Sequence, residues 1–439
     1  MTPPAPQAFS LQPYCDRVAQ VDTMPVTGRV VRSVGLLIES TGPRASVGSV
    51  CDIFSTEGPP LSVEVVGFRD STLLTVPLGD TSGIRPGDRV VARSTAASVP
   101  VGHALLGRVV DALGRPLDGG PLRLTERYPL HPAPLNPMDR DPVATPIATG
   151  VRVMDALLTC GRGQRVGLFG GSGVGKSTLL GMITRGTAAD VIVLGLVGER
   201  GREVRGFLDH DIGVEGRKRS VVVVSTSDNP PLLRMRAAYT ATAIAEYFRD
   251  QGLNVLLLMD SVTRFAMAQR EVGLAAGEPP TTKGYPPSVF SELPALLERA
   301  GSVSGRGSIT AMYTVLVDGD DHNEPVADAV RAILDGHVVL SRDLAASNHY
   351  PAIDVLQSVS RTMPDVTTPA HREKAGLVRS WMAAIRDTED LVSVGAYVPG
   401  ANPRVDEARA HAEAITAFLC QPADTLCGFA DATAALQEL

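Results

Sequence analysis

The chain has 439 residues, 44% hydrophobic and 20% charged, with a formal net charge of −7. This is ordinary globular composition, and the length predicts two or three domains around a substantial core. The acidic balance excludes a broad basic surface for nucleic acid, leaving at most a local groove, and 4% aromatics exclude extensive base-stacking platforms.

Residues 1–22 begin Pro-rich, and Met1–Pro6 lack the basic and apolar regions of a signal peptide. Phe9, Leu11, Tyr14, Val18 and Val21 then form a weak amphipathic pattern, which fits either a short docking helix or a frayed terminus. Residues 23–95 change character. Short β-branched runs, such as Gly28–Val31, Leu61–Val66 and Gly83–Val91, alternate with Gly, Pro and Asp turns, which predicts a small β-barrel. Residues 96–150 hold many prolines and glycines and read as a connector into the next domain, with a turn-rich piece at Asp111–Asp118.

From about residue 151 to 365 strands and helices alternate. Strands are expected at Arg165–Phe169, Val191–Val197, Val221–Ser225, Val255–Met259 and Ile309–Val317, and helices at Leu232–Arg249 and Thr263–Val272. Apolar strands alternating with helices imply an α/β domain whose mainly parallel sheet is covered on both faces. Ligands of such sheets bind at the carboxyl ends of the strands. In residues 366–439 the strands stop. Helices at His371–Asp387 and Asp406–Leu419 predict a small helical domain with Trp381 in its core. The five cysteines, Cys15, Cys51, Cys160, Cys420 and Cys427, are odd in number and lack a C-x-x-C pair, which predicts reduced thiols in a cytosolic protein. No run of about 18 apolar residues predicts a membrane span, although attachment through partners stays open.

The most specific signal follows the first of these strands. Gly170, Gly175, Lys176 and Ser177 complete the phosphate-loop pattern G-x-x-x-x-G-K-[ST]. Gly171, Ser172, Gly173, Val174 and Gly175 would wrap a phosphate chain with backbone N–H groups, ahead of a helix N-terminus starting near Lys176, Ser177 and Thr178. Lys176 would reach the β- and γ-phosphates, and Ser177 would ligate Mg²⁺. A chance Gly-rich turn would not require an apolar strand before it and an apolar helix after it.

Hydrolysis needs more than this loop: a metal carboxylate, a group that orients water, and positive charge for the transition state. Asp260 ends an apolar strand and reads as a carboxylate beside Mg²⁺, with a helix N-cap as the competing role. Glu199, after the strand Val191–Val197, would polarise water, and Arg200 would meet phosphate oxygens, although a solvated charge cluster also fits. Arg361 reads either as a surface residue or as an arginine finger. The proline-interrupted stretch Gly277–Ser288 predicts a long ordered loop.

The segments stand in this order along the chain: the phosphate loop, Gly198–Val204, Leu258–Arg264, Gly277–Ser288, Ile333–His337, Tyr350–Asp354 and Ser358–Arg361. From about residue 25 to 410 the chain resembles the type III protein-export ATPases, relatives of the catalytic subunit of rotary ATP synthases. Ala268–Tyr285 and Thr314–Asp321 follow the flagellar branch most closely, with the virulence injectisome branch as the second reading. The resemblance implies an N-terminal β-barrel, a RecA-like P-loop NTPase core and a C-terminal helical domain. It also implies an enzyme that hydrolyses ATP with Mg²⁺, in which Lys176 and Ser177 bind phosphate and metal. Asp260 would support the metal, Glu199 activate water, Tyr350 lie near the adenine, and Arg361 reach a neighbour's nucleotide.

The implied assembly is a homohexamer at the cytoplasmic face of the inner membrane. Its implied partners are export-gate membrane proteins, a negative regulator or stator, a central stalk, and export chaperones with cargo; nucleic acid is not expected. Flagellar relatives carry a longer N-terminal segment than the 20 or so residues ahead of this barrel, which puts regulator docking in doubt. One chain carrying Lys176, Glu199 and Arg361 together lets identical subunits build complete sites at each interface. A rotary-synthase subunit, a hexameric RNA translocase and a non-catalytic nucleotide-binding ring component are the remaining alternatives.

Overall fold

A computed structural model describes residue 11 and residues 26–56, 58–93, 97–317 and 324–439. The expected docking helix of residues 1–22, apart from Leu11, lies outside the described residues. The chain divides into two compact units, residues 1–96 and 97–439.

In the first unit six strands close a barrel: β1 (Thr27–Val34), β2 (Leu37–Ser40), β3 (Val50–Phe54), β4 (Leu61–Arg69), β5 (Thr72–Pro77) and β6 (Arg89–Ala92). Their order is β1-β2-β5-β4-β3-β6, every pairing antiparallel. Alternating residues such as Val63 and Val65 point inward and join Val30, Ile38, Cys51, Ile53, Leu73 and Val90 in the barrel core. Closure leaves no unpaired sheet edge.

The second unit contains β7 (Ser98–Val101), β8 (Val109–Asp111), β9 (Glu126–Pro129), β10 (Arg165–Gly170), β11 (Val191–Glu199), β12 (Ser220–Thr226), β13 (Asn254–Asp260), β14 (Gly301–Ser302), β15 (Ser308–Leu316), β16 (Gly336–Leu340) and β17 (Ile353–Ser360). The main sheet runs β17-β16-β10-β15-β13-β11-β12-β8, with β14 on the side of β15. All neighbours on that path are parallel except β16 and β17. The central strands β11 and β15 are buried on both faces until their last residue, which explains their continuous apolar sequence.

Residues 96–150 do more than connect. Val109–Asp111 pair with β12 as an edge of the main sheet, and β7 pairs with β9 in a small sheet of their own. A three-residue strand is too short to give a periodic signal. β16 and β17 were likewise not among the expected strands; β17 is an edge strand whose burial is broken by Gln357 and Val359.

The helices Pro231–Asp250 and Val262–Ala276 extend the expected segments by a few residues at their ends. Beyond residue 366 the described chain holds only helices and turns, the longest helices being Pro369–Ser393, Pro403–Leu419 and Phe429–Glu438. Trp381 is 3% exposed and stacks on His411 at 4.1 Å between ring centroids. Val378, Trp381, Ile415 and Phe418 belong to the same hydrophobic core as Leu168, Leu180 and Leu194, so these helices fold onto the sheet instead of forming a core of their own. No described helix is long and apolar enough to cross a membrane.

Candidate active site

β10 ends at Gly170, and the chain turns through residues 171–175 into the helix Lys176–Gly186. Gly175 takes φ +85, a left-handed conformation in which a side chain is strained. A Cβ there would stand 3.3 Å from Cε1 of Tyr350, so the tyrosine ring lies against the loop. Val174 is 1% exposed and anchors the loop to the core, while Ser172, Gly173, Ser177 and Thr178 face solvent. Gly171 is buried behind them. No side chain caps the helix, which leaves its first-turn N–H groups for an anion.

Parallel pairing brings further groups to the same edge. Strands β10, β15, β13 and β11 are neighbours, and their carboxyl ends carry Lys176, Thr314, Asp260 and Glu199. The Lys176 ammonium donates to Asp260 Oδ1 at 2.6 Å, with the two side chains 13% and 8% exposed. Thr314 Oγ1 donates to the same oxygen at 2.6 Å. Ser261, not Asp260, caps the next helix, accepting from the Arg264 N–H at 3.3 Å, so the capping role considered for Asp260 belongs to its neighbour.

Glu199 follows an irregularity in the β11–β12 register at Gly198, which has φ +72. A Cβ at Gly198 would meet Arg264 Cδ at 2.8 Å, so glycine lets the arginine close over the strand end. Arg264 Nε lies 3.3 Å from Glu199 Oε1, an ion pair without aligned hydrogen-bond geometry. Burial, helped by the Asp260 charge, pushes the Glu199 carboxyl above its ordinary titration range; Lys176 and Arg264 pull against this.

Arg200 turns along its own short helix and pairs with Glu203 at 3.1 Å on the solvent side. Tyr350 is 41% exposed, and its carbonyl accepts from the Gln421 N–H at 2.9 Å, which ties it to the C-terminal helices. Arg361 is set apart. It follows β17, which runs antiparallel to the phosphate-loop strand, so it emerges at the opposite edge of the sheet. Its backbone N–H donates to the carbonyl of Asp335, whose carboxylate grips Arg165 at the start of β10 through two 3.0 Å bonds. Five residue steps along β10 separate Arg165 at that edge from Gly170, about 17 Å at ~3.3 Å per residue. The Arg361 side chain is exposed there.

The Gly277–Ser288 stretch is ordered, as expected. Glu278 accepts from the Ser288 N–H at 3.2 Å, closing it onto the helix Pro287–Leu297, and Arg270 lies over Tyr285. Sequence reasoning assigned no role of their own to Arg264 or Thr314, although both lie in segments that carry the resemblance. Arg264 had a signal, four residues after Asp260 in the Leu258–Arg264 segment. Thr314 opens the segment Thr314–Asp321 that carries the resemblance, and it is a threonine in an apolar strand, but nothing local says that it meets Asp260.

The profile of the ATP synthase alpha/beta family nucleotide-binding domain matches residues 150–360, and that family's beta-barrel domain matches residues 30–93. The T3SS EscN ATPase C-terminal domain matches residues 367–438. The chain is 51% identical over 431 residues to the flagellum-specific ATP synthase of Bacillus subtilis strain 168, covering 98% of each chain. It is 50% identical over 430 residues to a type 3 secretion system ATPase of Sinorhizobium fredii strain NGR234, covering 98% of this chain and 94% of that one. Its fold matches the assembled ATPase EscN in complex with its central stalk EscO, from the type III secretion system of enteropathogenic E. coli, with a TM-score of 0.86 and 44% identity. That match covers 94% of this chain and 99% of the other.

Proposed function

This chain belongs to the type III export branch of the ATP synthase alpha/beta family, and we propose that it hydrolyses ATP in sites completed by a neighbouring copy. The observation that carries the shared site is the separation of Arg361 from Lys176 by the length of β10. An arginine finger must touch the transferred phosphoryl group. Arg361 does not reach the phosphate loop of its own chain, but from an exposed edge it serves the next subunit of a ring. A homohexamer satisfies this with one repeated contact.

In this reading the loop Gly171–Gly175 and the uncapped helix N-terminus hold the phosphates, Lys176 neutralises them, and Tyr350 lies near the base. Arg200, expected to meet phosphate oxygens, would have to leave its solvent-side pairing with Glu203 to do so. The donor set suits Mg²⁺: a hydroxyl on Ser177 and a carboxylate on Asp260, both oxygen ligands, with Asp260 fixed from behind by Thr314. Bound Mg²⁺ supplies charge neutralisation on the transferred phosphoryl oxygens. Glu199 takes the proton from the attacking water, for which its raised titration range is suited.

The work done is the energising or priming of type III protein export, and we assign the chain to the flagellar system on its Ala268–Tyr285 segment. The injectisome is the second reading, favoured by the nearly equal identity to a type 3 secretion system ATPase. A central stalk partner is supported by the likeness to EscN bound to EscO. Export-gate proteins, a regulator or stator, and chaperones with cargo complete the proposed surroundings, at the cytoplasmic face of the inner membrane.

Specific activity measured across a dilution series tests the shared site. It should rise with protein concentration as rings form; a constant value across the assembly range would refute it.

A further inference from the structure

Thr314 sits in the middle of the nucleotide-binding sheet and has no exposure at all. In the β13–β15 register Met259 stands opposite Tyr313, so Asp260 stands opposite Thr314 on the adjacent strand. The hydroxyl lies 2.6 Å from Asp260 Oδ1 and 3.3 Å from the Met259 carbonyl; with one proton to give, it gives it to the carboxylate. The strand end is itself fixed, because the Leu316 N–H donates to Thr263 Oγ1 at 2.8 Å. Asp260 Oδ1 therefore receives one mobile donor, the long Lys176 side chain, and one rigid donor, a β-branched residue with restricted χ1 in a clamped strand.

The geometry points to Thr314 as a positioning residue for the metal-side carboxylate. When the Lys176 ammonium turns to phosphate, Thr314 would keep Oδ1 occupied and hold the Asp260 carboxylate in one orientation at the strand end, where it would serve a Mg²⁺ ion. A valine has nearly the size of threonine but lacks the hydroxyl, and so removes this donor from Asp260 Oδ1. This inference rests on the metal role of Asp260 proposed above.

The test measures the affinity of a fluorescent ADP analogue in EDTA and in Mg²⁺, alongside the melting temperature. Thr314→Val should bind as the parent does in EDTA but lose about tenfold of the gain that Mg²⁺ brings, the lower end of what a hydrogen bond to a charged group contributes. Thr314→Ser should recover the gain to within about twofold, because it restores the same bond. If Thr314→Val does not fold, Thr314→Ala carries the same expectation. Full retention of the Mg²⁺ gain in Thr314→Val would overturn the inference. Equal loss in the valine and serine variants would also overturn it, since packing would then be responsible. Asp260→Asn separates the two claims. If it abolishes the gain while Thr314→Val keeps it, only the role of Thr314 fails; if Asp260→Asn keeps the gain, the metal role of Asp260 fails, and this inference with it.

Discussion

Lys176 and Asp260, 84 residues apart in the chain, meet at 2.6 Å between Nζ and Oδ1. One carboxylate thus holds the lysine proposed to serve the phosphates, and both groups are largely withdrawn from water. Withdrawal strengthens the pair and makes the loss of either member expensive.

Replacing the lysine should therefore act twice. Lys176→Ala removes a phosphate contact and leaves Asp260 with Thr314 as its donor. Turnover should fall about 10²–10³-fold, as for other lost charge-stabilising donors. Stability should fall by about 2 kcal/mol, less than for a fully buried pair because Thr314 remains. Phosphate release and thermal melting check the two effects; an unchanged melting temperature would show that the pair has no structural weight.

Mixed rings should recover activity from two dead chains. Lys176→Ala and Arg361→Ala each remove one half of a shared site, so random co-assembly leaves about a quarter of the interfaces with both groups intact. Turnover of the mixture should approach about a quarter of the parent value. A mixture as inactive as its components would mean that Arg361 serves some other purpose.

Glu199 should trade stability for chemistry. Its carboxyl is held above its ordinary value of 4.5 by burial first and by the Asp260 charge second. A raised acid contributes stability below its unfolded titration and loses it as pH rises through the folded value, so at neutral pH ionised Glu199 is a cost. Glu199→Gln should melt higher than the parent near pH 7.5, with the difference shrinking toward pH 4, while turnover falls at least about hundredfold. In the parent, turnover should be lost on the acid side at a pH above the usual carboxylate range. Calorimetry at several pH values decides; a glutamine variant that melts lower at neutral pH would contradict the assignment of strain to this carboxylate.

Asp335 should support Arg361 from a distance. Its carboxylate takes two bonds from Arg165, and its carbonyl accepts from the Arg361 N–H. Asp335→Ala should cost about 1–3 kcal/mol through the lost charge-assisted bonds. It should also lower turnover severalfold without weakening nucleotide binding, because the phosphate loop lies at the far edge. Equilibrium binding measured beside turnover separates these effects; a loss confined to affinity would show that the two edges are not independent.

The phosphate loop, the apolar central strands and the carboxylates after them were legible because each depends on local chemistry. Glycine permits the turn at Gly175, continuous apolar runs such as Val191–Val197 report burial on both faces, and a strand that ends in Asp260 reports its own carboxyl end. The ends of the helices Pro231–Asp250 and Val262–Ala276 were legible to within a few residues, whereas Pro369–Ser393 runs six residues past the expected end at Asp387 and Phe429–Glu438 was not expected. Val109–Asp111 and β17 were not legible, because a short or edge strand carries too little periodicity to be distinguished from a turn-rich connector.

What only the tertiary structure decided is which groups meet. Register across β13 and β15 places Thr314 on Asp260, and the glycine at 198 admits Arg264 to Glu199. The antiparallel return of β17 sends Arg361 to the edge away from Lys176. Each is a contact between segments tens to hundreds of residues apart, set by strand order and direction, which local propensity does not encode. The sequence determined the phosphate-loop motif and the apolar strand before it; the order and direction of the strands decided that Lys176 and Arg361 lie at opposite edges of one sheet, the separation on which the proposed shared site rests.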